Sequence, residues 1–502
     1  MNVSGFKQEL VFIISSVVIL FFILLGVFSP AVLDYLSSGV HSFILDNFSW
    51  LYLISAFFFL IFSLGLALSK FGTIKLGRDN EKPQYSFFGW LAMLFAAGMG
   101  IGLIFWGVSE PLVHFISPPP FLSAGTPAAA DFAMTYSFFH WGVHPWAIYT
   151  IVSISIAYFS FRRGMPTLIS SCFYPLFGER IYGISGKLVD ILAVFATIFG
   201  TATSLGLGAL QIHSGLSHLY GISSAISVTV GIIIIATALF MASAIIGVEK
   251  GIQTLSKINI TLAVCLLAFI LFLGSIPEIL NLFSSTLGSY TNNIIDISLQ
   301  SYPFQGESWS REWTVFYWAW WISWSPFVGI FIAQISRGRT IREFVLTVLT
   351  IPPLFTFFWF SVFGGSALLL ERGGAAGLAQ VAGEDASLAL FVFLEHYPFP
   401  ALLSVIALFL LMVFFITSAD SATVVLSSLT SGGGAFVKVY KKMVWGLFLS
   451  AVAIILLLTG GLTSLQIMAV TAAFPFLFVM FLLCYNLYIG LSQEMVFKKP
   501  EK

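Results

Sequence analysis

Residues 318–327 read WAWWISWSPF, which places four tryptophans within seven positions and a proline shortly after them. Trp318, Trp321 and Trp324 are spaced three residues apart, so they lie roughly on one face of a helix. Pro326 has no backbone N–H and its ring clashes with the preceding turn, which predicts that the helix is interrupted there. Large aromatic side chains beside a backbone break indicate a site in the interior of the fold.

The composition around this stretch is that of a membrane protein. The chain has 502 residues, of which 58% are hydrophobic and 9% are charged, and its mean hydropathy is +0.98. Soluble domains carry about 25% charged residues. Apolar runs of about 20 residues recur along the chain, each long enough to cross roughly 30 Å of hydrocarbon as a helix. We therefore predict an all-α polytopic membrane protein.

Twelve transmembrane helices account for these runs, and basic residues test that number because short cytoplasmic loops hold most lysines and arginines. With the N-terminus inside, only Arg311 and Arg372 of the 22 basic residues fall outside, which leaves 20 on the inner side. This split predicts that both termini are cytoplasmic. The predicted spans are centred on 11–29, 50–69, 88–108, 133–160, 187–211, 225–246, 258–277, 314–335, 344–365, 389–418, 443–459 and 465–489.

Two of these spans contain helix-breaking residues in their interior. The third has glycines at 98, 100 and 102, and the eighth contains Pro326. They are five spans apart, so spans 3–7 and 8–12 form two five-helix halves that each begin with a broken helix and face opposite ways. Paired interrupted helices in inverted repeats indicate a midplane binding site of a transporter. The alternative is that the glycines only allow close helix packing.

The predicted organisation follows from these halves. The segment 278–312 has apolar residues at helical spacing, which indicates an amphipathic helix on the outer surface, although an ordered loop fits equally well. The five parts are 1–87 (two peripheral helices and a loop), 88–277 (the first repeat), 278–312, 313–490 (the second repeat) and 491–502 (a short tail).

A second aromatic cluster, FFHWGVHPWAIY at 138–149, lies in the fourth span. Two aromatic clusters on two helices can surround a small cation, because ring faces attract positive charge. A quaternary ammonium is the best guest, since it donates no conventional hydrogen bonds. Glu110, Asp190 and Asp420 are the main carboxylates of the spans, and we place them towards helix ends. A primary amine would need one at midspan, so the pattern favours a methylated onium ligand.

These clusters resemble the signature of the betaine/carnitine/choline transporter family. The resemblance runs from about residue 10 to 490 and is carried by WAWWISWSPFVGIFIAQISRGRTIREF at 318–344, HWGVHPWAIY at 140–149 and GMGIGLIFWGVSEP at 98–111. It implies twelve helices with a leucine-transporter-type inverted-repeat core in spans 3–12. It also implies a homotrimer in the bacterial plasma membrane, in contact with lipid.

The resemblance also implies a substrate site. The family's aromatic box falls on residues of the fourth and eighth spans, and the substrate carboxylate would turn towards backbone amides of the broken third span, where unpaired N–H groups bind anions. The residues are Trp141, Trp146, Tyr149, Trp320, Trp321 and Trp324 for the ammonium, and Gly100, Ile101 and Gly102 for the carboxylate.

Sodium ligands are implied in the same way. Thr417 and Ser418 match the family's sodium pair, completed by the backbone carbonyls of Ala96 and Met99. A second set resembles a further proposed sodium site, namely Thr197 and Thr201 near Phe327. The alternative for each hydroxyl is a hydrogen bond to its own helix or a contact between helices.

Two departures from other members bear on the coupling ion. Proton-coupled choline members carry an aspartate where Gly102 stands in this chain. Ion-independent exchangers carry a basic side chain in the core, whereas spans 3, 5, 8 and 10 of this chain hold no mid-membrane Lys or Arg. Both favour sodium symport of glycine betaine. Dimethylsulfoniopropionate, choline, carnitine or ectoine as substrate, and proton coupling or exchange as mechanism, remain alternatives.

Other functions are disfavoured by the sequence. His140 and His144 have a metal-capable spacing, but the neighbouring proline and aromatics favour a packing role. No histidine or Ser–His set of a membrane enzyme stands out, and a closed cage argues against a channel. We expect no nucleic acid partner, no cofactor besides co-transported Na⁺, and weak intrinsic osmotic activation because the tail 491–502 is short.

The basic cluster SRGRTIRE at 336–343 ends the eighth span. We expect Arg337, Arg339 and Arg342 to anchor this end and contact lipid headgroups, with a salt bridge to Glu343 as the alternative.

Overall fold

The computed structural model describes residues 3–98, 100–246, 249–305, 308–374, 377–434 and 437–497. Over these residues the chain is helical, and its one pair of β-bridged residues is Lys75 with Thr340. The α-helices are α1 (Val3–Phe28), α2 (Pro30–Leu68), α3 (Phe87–Gly98), α4 (Ile101–Ile116), α5 (Pro127–Trp141), α6 (Val143–Ala157), α7 (Tyr174–Phe177), α8 (Ile184–Tyr220), α9 (Ile226–Ile246), α10 (Glu249–Leu273), α11 (Ile276–Leu299), α12 (Ser308–Ser310), α13 (Phe316–Ile335), α14 (Ile341–Phe360), α15 (Ser366–Arg372), α16 (Leu378–Glu384), α17 (Ala389–Leu394), α18 (Pro400–Leu429) and α19 (Val439–Phe497).

The number of membrane spans agrees with the prediction of twelve. Among the described residues, 10 helical segments are long and apolar enough to cross a bilayer. One of them, α19, is two spans joined at a bend, because Gly460 and Gly461 have non-helical dihedral angles and Gly461 has φ +60°. The shorter helices α3 and α4 together supply the remaining span. The predicted all-α polytopic fold is confirmed.

The predicted break in the eighth span is wrong. Helix α13 runs from Phe316 to Ile335 with Pro326 inside it. The carbonyl of Ile322, which loses its normal donor at the proline, accepts a hydrogen bond from Ser325 Oγ at 2.7 Å. A hydroxyl one residue before the proline thus satisfies the freed backbone group, as the apolar surroundings require.

The fourth span, rather than the eighth, is discontinuous. Helix α5 ends at Trp141 and α6 begins at Val143, with Gly142 between them at φ −91° and ψ −134°. A Cβ at Gly142 would lie 2.8 Å from the ring of Phe357 and 2.5 Å from the carbonyl oxygen of Phe138. The glycine therefore permits a close packing that no larger residue allows.

Two further boundaries differ from or extend the prediction. The tenth span was predicted over 389–418, but α17 ends at Leu394 and the long helix α18 begins only at Pro400, after Phe399 at φ +63°. The segment 278–312 contains helix α11, Ile276–Leu299, so the helical alternative is the one observed for its first part.

Six helices enclose the region that the aromatic clusters occupy. Helix α13 packs extensively against α6 and α8, helix α8 packs against α18, and α4 packs against α5 and α8. The aromatic stretch of α13 is consequently buried from Phe316 to Ile330. The tryptophans face protein rather than lipid.

Candidate functional site

The site begins at the break in the third span. Helix α3 ends at Gly98 and α4 begins at Ile101, with Gly100 extended at φ −137° and ψ −172° between them. The first amides of a helix have no intrahelical acceptor. The amide of Leu103 donates to the Gly100 carbonyl at 3.2 Å. The amide N–H groups of Ile101 and Gly102 come before that of Leu103, at the positive N-terminal end of the α4 helix dipole.

Gly102 brings this backbone against two indole rings. A Cβ at this position would lie 2.7 Å from Cη2 of Trp320 and 2.9 Å from Cη2 of Trp141. Contacts this short are not tolerated by rigid rings, so any side chain here would displace them. Glycine at 102 sets how closely the aromatic wall approaches the helix start.

One cavity collects the nine residues predicted for the substrate. We call it the upper cavity, and its other lining residues include Leu103, Pro145, Ser204, Thr356 and Ser418. The predicted residues that line it are Trp141, Trp146, Tyr149, Trp320, Trp321, Trp324, Gly100, Ile101 and Gly102. Their role in binding stays a prediction, but the fold brings all of them to one place.

The rings of the upper cavity meet in both edge-to-face and stacked arrangements. Trp141 meets Trp321 edge-to-face, with 4.9 Å between ring centroids and 72° between planes. Trp320 and Trp321 stack at 4.6 Å and 16°. Tyr149 lies 6.3 Å from both Trp321 and Trp324. Several negative ring faces therefore converge on one hollow, which is the geometry that attracts a cation.

Hydrogen bonds hold three of these indoles in place. Trp321 Nε1 donates to the carbonyl of His140 at 3.0 Å, and Trp320 Nε1 donates to the carbonyl of Gly200 at 3.3 Å. Trp141 Nε1 donates to Oε2 of Glu110 at 2.7 Å. Buried indole N–H groups normally find such partners. With the N–H engaged elsewhere, the ring faces remain available to a ligand.

Glu110 corrects the sequence interpretation of the carboxylates. It was placed near a helix end, but α4 continues to Ile116 and Glu110 is fully buried inside it. Besides Trp141, its Oε2 accepts the hydroxyl of Tyr317 at 2.6 Å. Its Oε1 lies 2.7 Å from Nδ1 of His140 and 3.3 Å from Nε2 of His114. The prediction ended the span at 108 and so missed a buried carboxylate beside the aromatic box.

The histidines of the fourth span do not act as a pair. His140 contacts Glu110 and, through Nε2, Thr314 Oγ1 at 3.0 Å. His144 instead lies 2.9 Å from Ser298 Oγ. The ligand atoms of Glu110, His114 and His140 are all within 4.8 Å of one another, a spacing that also suits a metal ion. Each carboxylate oxygen already faces two hydrogen-bonding groups, whereas Nδ1 of His114 is buried without a partner among the described residues.

A second cavity of about 150 Å³ lies towards the C-terminal half of α13, and we call it the lower cavity. Gly100, Trp324 and Ser418 line both cavities, so the Trp324 ring stands between them. Thr417 and Phe327 line the lower cavity, together with Asn259, Ser256 and Ser421. This wall contains several hydroxyl and amide oxygens.

The predicted sodium ligands are only partly assembled. Thr417 Oγ1 donates to the carbonyl of Val413 at 2.9 Å, which leaves its lone pairs free to accept a cation. Ser418 lies next to it on α18. Ala96 belongs to α3, and Met99 lies outside the described residues.

The residues of the second predicted sodium set lie on α8 and α13. Phe327 lines the lower cavity, whereas Thr197 and Thr201 line neither cavity. Thr197 Oγ1 donates to the carbonyl of Ala193 at 2.7 Å, which is the local alternative. Thr201 Oγ1 is buried without a partner among the described residues. A sodium ion between the three residues stays a prediction.

On the N-terminal side of α13, aromatic rings close the upper cavity. Tyr317 stacks over Trp321 at 6.0 Å, and Trp106 meets both Tyr317 and Trp313 edge-to-face at 6.1 and 5.6 Å. His114 packs against Trp313 at 4.4 Å. We call Trp106, His114, Trp309, Trp313 and Tyr317 the aromatic plug.

The basic cluster after α13 contacts protein. Arg339 pairs with Glu343 and covers the ring of Trp90, 3.9 Å from its centroid. Arg337 pairs with Glu81 at 2.5 Å. Arg342 donates to the carbonyl of Ala67 at 2.9 Å. The salt bridge to Glu343 is thus observed for Arg339, and the contact of this cluster with lipid headgroups stays a prediction.

Comparison with known proteins agrees with the geometry of the site. The model of BCCT, the betaine/carnitine/choline family transporters, matches residues 10–496. The chain belongs to this family. It is therefore a transporter and not an enzyme, and a multi-pass protein of bacterial membranes.

Several members of the family are similar over almost their full length. The glycine betaine transporter OpuD of Bacillus subtilis is 49% identical over 483 residues, which cover 96% of this chain and 94% of that protein. A probable glycine betaine transporter of Desulfitobacterium hafniense is 43% identical, over 97% of this chain and 98% of that protein. The ectoine/hydroxyectoine transporter of Virgibacillus pantothenticus is 41% identical, over 96% of both.

Among solved structures, a Na⁺-coupled sialic acid symporter in a substrate-bound outward-open state is similar with a TM-score of 0.48. Its sequence identity is 15%, over 90% of this chain and 98% of that protein.

Proposed function

We propose that the protein imports glycine betaine together with Na⁺ by alternating access. The observation that carries the proposal is the convergence of six aromatic side chains on the upper cavity, beside the start of a broken helix. Members that are 43–49% identical to this chain are described as glycine betaine transporters. Their description supports the substrate, and the cavity supplies a physical reason for it.

The aromatic wall suits the trimethylammonium group. A quaternary ammonium has no N–H, so a carboxylate partner at contact distance would gain little from hydrogen bonding. Ring faces offer a negative potential at a much smaller desolvation cost, and such contacts are worth about 2 kcal/mol when desolvated. Trp141, Trp321 and Trp324 are each less than 9% exposed, so they meet this condition.

The helix start suits the other end of the substrate. The amides of Ile101 and Gly102 are free of intrahelical acceptors and lie beside the aromatic wall, since Gly102 abuts the rings of Trp141 and Trp320. A carboxylate there would also gain from the α4 dipole. A zwitterion would place its cation among the rings and its anion on these amides.

Sodium coupling rests on the oxygens of the lower cavity. Na⁺ is a hard cation that prefers oxygen ligands, and Thr417 and Ser418 supply two hydroxyls on one turn of α18. Ser418 also lines the upper cavity, so an ion bound here would neighbour the substrate. Gly102, where proton-coupled choline members carry an aspartate, supports sodium rather than protons.

Uptake into proteoliposomes tests the proposal. We expect accumulation of labelled glycine betaine when an inward Na⁺ gradient is imposed, and little accumulation when choline-free K⁺ buffers replace Na⁺ on both sides. A proton gradient alone should not drive uptake. Accumulation that is the same with and without Na⁺ would refute the coupling.

Competition by unlabelled osmolytes tests the substrate. Because a 41% identical member is an ectoine/hydroxyectoine transporter, ectoine is the second candidate, with choline, carnitine and dimethylsulfoniopropionate as further competitors. We expect glycine betaine to compete at the lowest concentration. Stronger competition by ectoine would reassign the substrate and leave the coupling untouched.

The assembly and orientation are proposed on the sequence and the family. We propose a homotrimer, as the family resemblance implies. We also propose that both termini are cytoplasmic, because only two of the 22 basic residues would then lie outside. Cross-linking in membranes and labelling of cysteines introduced at either end test the two statements separately.

A further inference from the structure

We propose that Glu110 is a positioning residue of the aromatic box, which fixes the ring planes of Trp141 and Tyr317 by hydrogen bonds from their polar groups. The inference rests on the proposed function only in that it assigns the box to substrate binding. Glu110 is on the broken third span, Trp141 on the fourth and Tyr317 on the eighth. One carboxylate thus joins three of the helices that line the cavity.

The two rings share a single oxygen atom. Oε2 of Glu110 accepts Nε1 of Trp141 at 2.7 Å and the hydroxyl of Tyr317 at 2.6 Å. Hydrogen bonds to an ionised acceptor are about twice as strong as neutral ones and are directional. Two donors on one oxygen therefore hold the indole edge of Trp141 and the phenol edge of Tyr317 side by side.

The orientation of both rings decides the shape of the cage. The planes of Trp141 and Trp321 meet at 72°, and Tyr317 stacks on Trp321 at 26°. If the edge of Trp141 were released, the ring could turn towards Phe360, which lies 5.7 Å away. The cage would then lose one of its walls without losing any residue.

The other carboxylate oxygen of Glu110 contacts His140, whose backbone carbonyl holds a second ring of the box. Oε1 faces His140 Nδ1, and the carbonyl of the same His140 accepts the indole N–H of Trp321. Three aromatic residues of the cage and plug are consequently oriented through Glu110 or its direct partner. A carboxylate that served only to stabilise α4 would need none of these contacts.

Two substitutions separate positioning from charge. Glu110→Gln keeps an acceptor oxygen for Trp141 and Tyr317 but loses the charge, and Glu110→Leu keeps the approximate volume but loses both acceptors. We expect Glu110→Leu to raise the KM for glycine betaine more than tenfold. Glu110→Gln should stay within threefold of the unsubstituted protein. The Na⁺ concentration for half-maximal uptake should not change in either, since the network does not touch Thr417 or Ser418.

Equal losses in both variants would overturn the inference in favour of a charge effect, and unchanged KM in both would overturn it outright. A parallel rise in the half-saturating Na⁺ concentration would indicate a general structural role instead. Uptake by the unsubstituted protein is the separate test of the proposed function. If another onium proves to be the substrate, the same comparison applies with that solute.

Two tryptophan substitutions keep the inference testable if Glu110→Leu does not fold. Trp141→Phe removes the indole N–H that Glu110 accepts and keeps an aromatic ring. Its matched control is Trp359→Phe, because Nε1 of Trp359 is buried without a partner among the described residues and the ring lines neither cavity. We expect KM to rise at least fivefold in the first and less than twofold in the second. Equal effects would contradict the inference.

Discussion

At the scale of single residues, the tryptophans of α13 differ in what holds them. Trp320 and Trp321 are anchored through their N–H groups to carbonyls of neighbouring helices. Trp324 has no such anchor among the described residues, although it is only 8% exposed. The first two rings are therefore fixed parts of the cage, and Trp324 is the ring most able to change its orientation.

Removal of a cage ring should weaken binding. We expect Trp321→Ala and Trp146→Ala each to raise the dissociation constant for glycine betaine by roughly ten- to thirtyfold, because a desolvated cation–π contact is worth about 2 kcal/mol. Equilibrium binding to purified protein measures this directly. Trp359→Ala is the control for loss of a buried indole outside the cage. Unchanged affinity in both cage variants would remove the aromatic box as the binding site.

A methyl group at position 102 should narrow the cage. In Gly102→Ala the added Cβ would be within 3 Å of Trp141 and Trp320, and overpacking of this kind costs about 1–3 kcal/mol. We expect a KM for glycine betaine raised by at least about tenfold. Gly231→Ala in α9 is the control, because a Cβ there meets nothing within 4 Å. A wild-type KM in Gly102→Ala would show that the indoles are not rigid.

The proposed sodium hydroxyls have a matched control on the same helix. We expect Thr417→Ala to raise the Na⁺ concentration for half-maximal uptake about tenfold, equivalent to about 1.4 kcal/mol. Thr423→Ala should not, because Thr423 is likewise bonded to its own helix, at 2.7 Å from the Ala419 carbonyl, but lines neither cavity. Equal responses of the two variants would argue against a sodium ligand at 417.

At the scale of elements, the segment between α2 and α3 is clamped onto the end of α13. Leu76 exchanges backbone hydrogen bonds of 2.8 Å with Gly338 and Arg339, and Glu81 pairs with Arg337. The backbone N–H of Arg78 and the guanidinium of Arg337 lower the pKa of Glu81 below its ordinary value of 4.5. The carboxylate is therefore stabilised in its charged form when this clamp is closed.

The clamp should lose part of its stability in acid. A lowered folded-state pKa contributes stability that is present above about pH 4.5 and is lost as the pH falls through the folded pKa. We expect Glu81→Gln to melt at a lower temperature than the unsubstituted protein at pH 7, and the difference to shrink below pH 4.5. Thermal unfolding in detergent at several pH values measures this. A difference independent of pH would contradict the role of ionised Glu81.

At the scale of the whole molecule, hydropathy and charge were sufficient for the architecture. Apolar length predicted twelve spans, because hydrocarbon thickness fixes how many residues a helix needs. The aromatic clusters and the glycines of the third span predicted the lining of the upper cavity, because these residue types are costly at the positions they occupy unless a neighbour requires them.

The errors have a common physical origin. Pro326 predicts a break in the eighth span, but the hydroxyl of Ser325 donates to the Ile322 carbonyl that the proline leaves without a backbone donor. Glu110 is predicted to lie towards a helix end, yet α4 passes through Pro111 to Ile116. The discontinuity at Gly142 depends on its contact with Phe357, which is 215 residues later in the chain. Local sequence does not contain such partners, so they appear only once the helices are packed.

The position of Trp324 between the upper and lower cavities implies a directional asymmetry. Towards the lower cavity, the boundary includes the indole of Trp324, whose N–H has no partner among the described residues, so rotation of one side chain would widen the passage between the two hollows. Towards the opposite end, five interlocked rings would have to part together. The proposed solute chamber is therefore bounded by a weak partition on one side and a strong one on the other.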